Sequence, residues 1–241
     1  MDIPFVQYGV LIFCCLLLGY FSQKIVQLIG YKLTLILGAP GIIAHEISHW
    51  IVAKLCGHKI LEAKFFAPST DGSLGYINHA YKRSFTNYIT LPMISLAPLF
   101  IGPGFYYLIT KMHYPELIVR FDIDSGSNFG LQVVLLSMLS IGEWFFDSPS
   151  SDKLIWLFVG LSIVTFSVPS SIDIKNCRKQ LAILLIISSL LVHYGVNITF
   201  VMPYLSFMSV FIMVSLSAIL ACFSVAWGAH NALKVLHRFI T

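Results

Sequence analysis

Seventeen consecutive residues from Phe5 to Phe21 carry no aspartate, glutamate, lysine or arginine, and comparable apolar runs recur along the whole 241-residue chain. The hydrocarbon core of a bilayer, about 30 Å thick, is crossed by about 20 such residues in a helix. In lipid every backbone N–H and C=O must find its partner within the protein, which leaves helices or closed barrels as spanning structures. The composition agrees, with 57% hydrophobic and 11% charged residues; an average soluble domain has about 45–50% and about 25%. A water-soluble globule, a disordered chain, a collagen-like repeat and a disulfide scaffold are therefore set aside. The expectation is an all-α, polytopic integral membrane helix bundle with about six or seven transmembrane helices.

Hydropathy divides the chain into spans near 5–21, 33–56, 88–109, 129–146, 154–168, 181–196 and 202–229. The first opens with Asp2 rather than a basic cluster and lacks a small-residue cleavage site, so it reads as an uncleaved span. The second is interrupted by Gly38-Ala39-Pro40-Gly41, and its regular helix is expected to begin near Pro40, where a first-turn proline is tolerated. The third holds Pro92, Pro98 and Pro103. It should be kinked and sit inside the bundle, where neighbours can satisfy the carbonyls that proline frees. Residues 57–83 form the longest hydrophilic stretch, with turn residues flanked by alternating apolar positions, and predict a small β-hairpin. Residues 169–180 read as a polar link.

No repeat or composition break divides the chain, so 1–241 reads as a single transmembrane domain. Its core covers about 33–180, and 181–241 adds C-terminal helices. With the N-terminus outside, cytoplasmic segments hold nine lysines and arginines against five outside. The net charge of +4 is scattered over loops, which excludes a nucleic-acid footprint and suits contact with membrane lipid. The five cysteines show no Cys-x-x-Cys spacing and read as free thiols. Trp50, Trp144, Trp156 and Trp227 fit an aromatic belt at the membrane surface. His58 and His79 are expected to be surface histidines of the hydrophilic loop.

The chemistry is concentrated at His45-Glu46-Ile47-Ser48-His49. Residues four apart on a helix share a face about 6 Å apart along the axis, so two imidazoles there can bind one Zn²⁺. Glu46 stands beside the metal and can take a proton from metal-bound water and pass it to a leaving amine. With 8 histidines in the chain, chance predicts roughly 0.004 such motifs. Ionisable groups inside an apolar helix are costly and mark function.

A catalytic zinc needs a third protein ligand. Asp173, Glu143, Asp147 and His193 are the candidates near membrane depth. If the helix starts near Pro40, His45 and His49 lie near its starting side. The chain returns to that side after the fifth span, where Asp173 follows; Glu143 and Asp147 fall opposite. Asp173 also fits a solvated residue or a helix N-cap before the sixth span.

Three stretches together carry a resemblance: His45-Glu46-Ile47-Ser48-His49, Ser95-Leu96-Ala97-Pro98-Leu99-Phe100-Ile101-Gly102, and Gly160-Leu161-Ser162 leading into Pro169-Ser170-Ser171-Ile172-Asp173. They resemble the site-2 protease class of intramembrane zinc metalloproteases, and within it a small bacterial or archaeal membrane metalloprotease family. The resemblance covers about 37–175. It implies zinc held by His45, His49 and Asp173, Glu46 as general base, a membrane-protein or peptide substrate, and residence in a prokaryotic cell membrane. Better-known members carry a run ending Leu-Asp-Gly at the third ligand, where this chain reads Ser-Ile-Asp-Ile.

Two other classes stand beside the enzyme: a non-catalytic membrane scaffold that keeps the protease-like fold, and a transporter with Pro/Gly-broken helices around a midplane site. The intact Glu46 speaks against the scaffold, since metal binding alone does not require it. The lack of matching broken helices in two halves speaks against a repeat transporter.

Overall fold

A computed structural model of the protein describes residues 31–69, 74–82, 84–118 and 131–194, with Tyr20 and Gly228. Its elements in chain order are α1 (Tyr31–Leu55), β1 (Lys59–Lys64), β2 (Tyr76–Ala80), α2 (Asn87–His113), α3 (Leu131–Asp147), α4 (Ser151–Phe166) and α5 (Ser171–His193). The chain is mostly helical with one small antiparallel sheet. The expected spans near 5–21 and 202–229 fall outside the described residues. Among the described residues, α1 and α2 are long and apolar enough to cross a membrane.

The helix bearing the histidine motif does not begin near Pro40. It runs unbroken from Tyr31, with Pro40 inside it. Packing explains the difference. Pro40 offers no N–H, and the N–H of Gly41 donates to the Ser162 hydroxyl of α4 at 3.0 Å. The two glycines bracketing the proline let α4 approach. A Cβ on Gly41 would lie 2.1 Å from the Ser162 carbonyl oxygen, and one on Gly38 2.6 Å from the Phe166 ring. A neighbouring helix thus satisfies what proline disturbs, and helix continues where local preference alone predicts a start.

All three prolines of the third predicted span lie within the single helix α2. Each leaves the carbonyl four residues earlier without its helical donor. Pro92, Pro98 and Pro103 are fully buried, while Phe100, Phe105 and Leu108 of the same helix are exposed. α1 packs against α2 and α4, and α5 packs against α2. Val52 and Ala53 of α1 meet Ile94 and Ala97 of α2 in a core cluster.

The predicted hairpin is present. β1 and β2 pair antiparallel from Lys59↔Ala80 to Lys64↔Tyr76, with an irregularity between Ile60 and Glu62. Residues 171–180, expected as a link, instead form the first turns of α5. The Ser170 hydroxyl accepts from the Asp173 N–H at 3.2 Å, and an Asp173 carboxylate oxygen accepts from the Ser170 N–H at 2.8 Å. This reciprocal cap starts a helix independently of hydropathy, and Lys175, Arg178 and Lys179 ride on its exposed side.

Trp144 and Trp156 depart from the belt expectation. Both are buried, with ring centroids 5.2 Å apart. Tyr106 stacks on Trp156 and donates to its carbonyl at 2.9 Å, over Gly160, where any side chain would meet the phenol ring. Lys153 is buried there too, its ammonium 4.3 Å above the Trp144 ring and donating to the Ser148 hydroxyl. The aromatic residues therefore lock the ends of α2, α3 and α4 together.

Candidate metal centre

His45, Glu46 and His49 lie on α1, one helical turn beyond the Gly38–Gly41 seat for α4. The imidazoles meet edge-on, with centroids 4.7 Å apart and Nε2 atoms 3.1 Å apart. Asp173 reaches both: one carboxylate oxygen lies 3.6 Å from His45 Nε2 and the other 3.4 Å from His49 Nε2. Among the described residues this is the group of histidine, cysteine and acidic side chains able to hold a metal ion. Of the other third-ligand candidates, Glu143 and Asp147 are exposed on α3. His193 ends α5, about 30 Å along the helix from Asp173.

Backbone carbonyls orient both rings. His45 Nδ1–H donates to the Phe166 carbonyl at 2.7 Å, one of the last carbonyls of α4, which have no helical donor. His49 Nδ1–H donates to the Ile94 carbonyl at 2.7 Å. Ile94 stands four residues before Pro98, so its carbonyl is one that proline has freed. Gly41 brings Phe166 to His45, and Pro98 leaves Ile94 open to His49. Such outer partners fix the tautomer and aim of metal-ligating histidines.

The donor set fits a small divalent cation. With each Nδ1 proton committed to a carbonyl, neutral rings turn two bare Nε2 lone pairs toward one another at 3.1 Å, beside a carboxylate. That arrangement calls for positive charge at its centre. Zinc ligands about 2.0–2.2 Å from the ion in tetrahedral array lie about 3.3 Å from one another, and the three contacts here are 3.1, 3.4 and 3.6 Å. Two nitrogens and a carboxylate oxygen are ordinary zinc donors, and three protein ligands leave a position open.

The group opens on a cleft of about 780 Å³. Glu46, buried, lines it beside the histidines. Across from α1 the cleft is bounded by Gly75 and by β2 from Tyr76 to His79. Gly75 packs directly on Glu46: a Cβ there would fall 2.8 Å from the Glu46 Cγ and 2.8 Å from the Lys64 carbonyl oxygen. Ser48, one turn below, donates to the Ala44 carbonyl and packs near Gly102, a helix-packing role.

His58 corrects its sequence expectation: it is buried, not a surface residue. Its Nδ1 lies 3.0 Å from His79 Nδ1, its Nε2 3.3 Å from the Thr90 hydroxyl, and its ring stacks on Tyr81. Burial pushes the His58 imidazole below its usual value. The same burial, with the nearby charges of His58 and His49, lowers His79. Both shifts favour the neutral ring.

Sequence reasoning singled out the three donors and Glu46 but missed their carbonyl partners. Pro98 was the available signal, standing four residues after the carbonyl that holds His49. No family model, curated protein or solved structure matches the chain.

Proposed function

We propose that the protein is a zinc-dependent intramembrane endopeptidase that hydrolyses a peptide bond of a membrane-embedded or membrane-associated protein. The observation that carries this reading is the convergence of His45, His49 and Asp173 within one zinc-sized triangle, with Glu46 beside it in the same cleft. Zinc bound by these three side chains would supply a Lewis acid that acidifies water and polarises a carbonyl. Glu46 takes the proton of the attacking water on its carboxylate and gives it to the leaving amine nitrogen as the C–N bond breaks. Gly75 leaves room for that carboxylate under the start of β2.

A bundle of six or seven spans suits the hydropathy of the whole chain. The large apolar side chains exposed on α2, among them Phe100, Phe105, Leu108 and Met112, suit a lipid-facing surface. A substrate helix hides its amides in backbone hydrogen bonds, so it must unwind before cleavage. The cleft-side edge of β2 could hold the extended segment by strand addition.

The test is metal analysis joined to cleavage. Purified protein should carry about one zinc per chain. His45→Ala should lose the zinc, while Glu46→Gln should keep it and lose at least about a thousandfold in turnover. Comparing membrane proteomes of cells carrying wild type or Glu46→Gln should reveal shortened substrates. Stoichiometric zinc without cleavage would favour the scaffold reading, and absence of zinc would overturn the enzyme.

A further inference from the structure

The hairpin wall of the cleft contains a second pair of histidines that the zinc chemistry does not use. His79 lies on β2 and lines the same cleft as the metal donors. Ile77 and His79 are less exposed than Asn78 and Ala80, which turns them toward the helices. The Nδ1 of His79 is engaged by His58, and among the described residues its Nε2 makes no hydrogen bond within the protein. His58 is anchored at both ends of its ring: it is buried, stacked on Tyr81 at 5.0 Å, and held at Nε2 by Thr90 of α2. A half-exposed ring is thus aimed by a buried one, an arrangement that strand pairing does not require.

Proton bookkeeping makes the pair adaptable. Two neutral rings share two N–H protons among four nitrogens. If the Thr90 hydroxyl donates to His58 Nε2, then His58 Nδ1–H donates to His79, and His79 presents Nε2–H. If Thr90 accepts instead, His79 Nδ1–H donates to His58, and His79 presents a bare Nε2. Passing between the two states turns the Thr90 hydroxyl, shifts the shared proton from His58 Nδ1 to His79 Nδ1, releases the His79 Nε2 proton to water and takes one from water onto His58 Nε2, which converts a donor at the cleft into an acceptor. A peptide backbone offers both kinds of partner.

Resting on the endopeptidase reading, we propose that His79 is a substrate-binding residue, its Nε2 holding the extended peptide in the cleft on the His49 side of the cut, with His58 as its positioning residue. Just before β2, Gly75 lies beside Glu46, and His79 is about 13 Å farther on at the rise of a strand. The contact therefore falls on a flanking part of the peptide and not on the scissile bond.

The experiment uses full-length protein in detergent and a fluorogenic peptide of one apolar span interrupted by Asn-Gly. His79→Asn keeps an amide where Nδ1 was, and so the bond to His58, but removes Nε2. His79→Gln puts an amide near the position of Nε2. His79→Asn should raise KM about tenfold with kcat within twofold, and His79→Gln should recover most of the loss. His58→Gln should raise KM to a smaller degree. All three should keep one zinc per chain. As a readout free of turnover, the same peptide should bind Glu46→Gln about tenfold more weakly once His79→Asn is added. An unmoved KM and unmoved binding in both His79 variants would overturn this inference and leave the metallopeptidase standing. A better-preserved KM in His79→Asn than in His79→Gln would reduce His79 to a brace for the hairpin. Failure of wild type to cleave with zinc bound would overturn both readings.

Discussion

The two walls of the cleft are built from different materials. On the α1 side, packed helices hold the candidate metal ligands His45 and His49, and the holding atoms are main-chain carbonyls of Phe166 and Ile94. On the hairpin side, a two-stranded sheet faces the cleft, with Ile60 of β1 packed against the core of α1 and α2 and His58 bonded to His79. A two-stranded sheet is marginal by itself, whereas a carbonyl fixed in a packed helix moves little. Under the proposed function, the contrast suits a division of labour in which one wall keeps a metal in place and the other adapts to a polypeptide. The walls touch where Gly75 lies on Glu46.

The largest effect should come from driving the helices apart. In Gly41→Ala the new methyl meets the Ser162 carbonyl oxygen at 2.1 Å. Relief requires α4 to retreat, taking the Phe166 carbonyl from His45. We expect a loss of about 2–3 kcal/mol in stability and at least tenfold in zinc affinity, read by thermal unfolding and competition with a chelator. Unchanged zinc affinity would show that His45 does not depend on that carbonyl.

Pro98→Ala tests the second support more gently. Alanine restores an N–H that competes with His49 for the Ile94 carbonyl. Zinc affinity should fall about tenfold, while Pro92→Ala and Pro103→Ala, whose freed carbonyls lie elsewhere on α2, should leave it unchanged. Equal effects from all three would trace the loss to general repacking.

Gly75→Ala probes the seam between the walls. Its methyl crowds the Glu46 side chain, so kcat should drop several-fold with zinc retained. A loss of zinc instead would mean that the hairpin supports the metal wall, against the division drawn above.

The smallest effect should be on the hairpin alone. His58 and His79 have lowered pKa values when the hairpin is seated, burial being the main cause, joined for His79 by the charges of His58 and His49. The unseated rings, near 6.5, take protons first. Seating is therefore fully favoured above about pH 6.5 and weakens as pH falls below it. Amide-exchange protection of residues 59–64 and 76–80, corrected for the intrinsic rate, should fade from pH 7.5 to pH 5.5. Protection that strengthens on acidification would contradict the neutral pair.

Much of this could be read before any coordinates. The histidine spacing and its place in an apolar helix singled out His45 and His49. Asp173 is put on their side by a helix start near Pro40 that α1, running from Tyr31, does not have, although its carboxylate does lie beside both rings. The hairpin followed from turn residues and alternation. What was not legible depended on contacts distant in sequence. Pro40 reads locally as a helix start, but Ser162, more than a hundred residues away, takes up the Gly41 N–H. The polar composition of 171–180 reads as a link. An N-cap at Asp173 is the alternative reading, but the helix that Ser170 and Asp173 cap begins well before the expected span. His58 looks like a loop histidine because nothing local announces Tyr81 and Thr90 around it. Residue types disclose side-chain donors. The carbonyls that aim them are disclosed only indirectly, by a proline four positions on or by the end of a helix.

Zinc X-ray absorption on the purified full-length protein tests the central claim most directly. It should report one zinc per chain with two imidazole nitrogens, light oxygen donors at about 2.0–2.2 Å and no sulfur, and Asp173→Ala should alter the oxygen shell while the imidazole signal persists. A sulfur ligand, or a wild-type protein that binds no stoichiometric zinc, would contradict it.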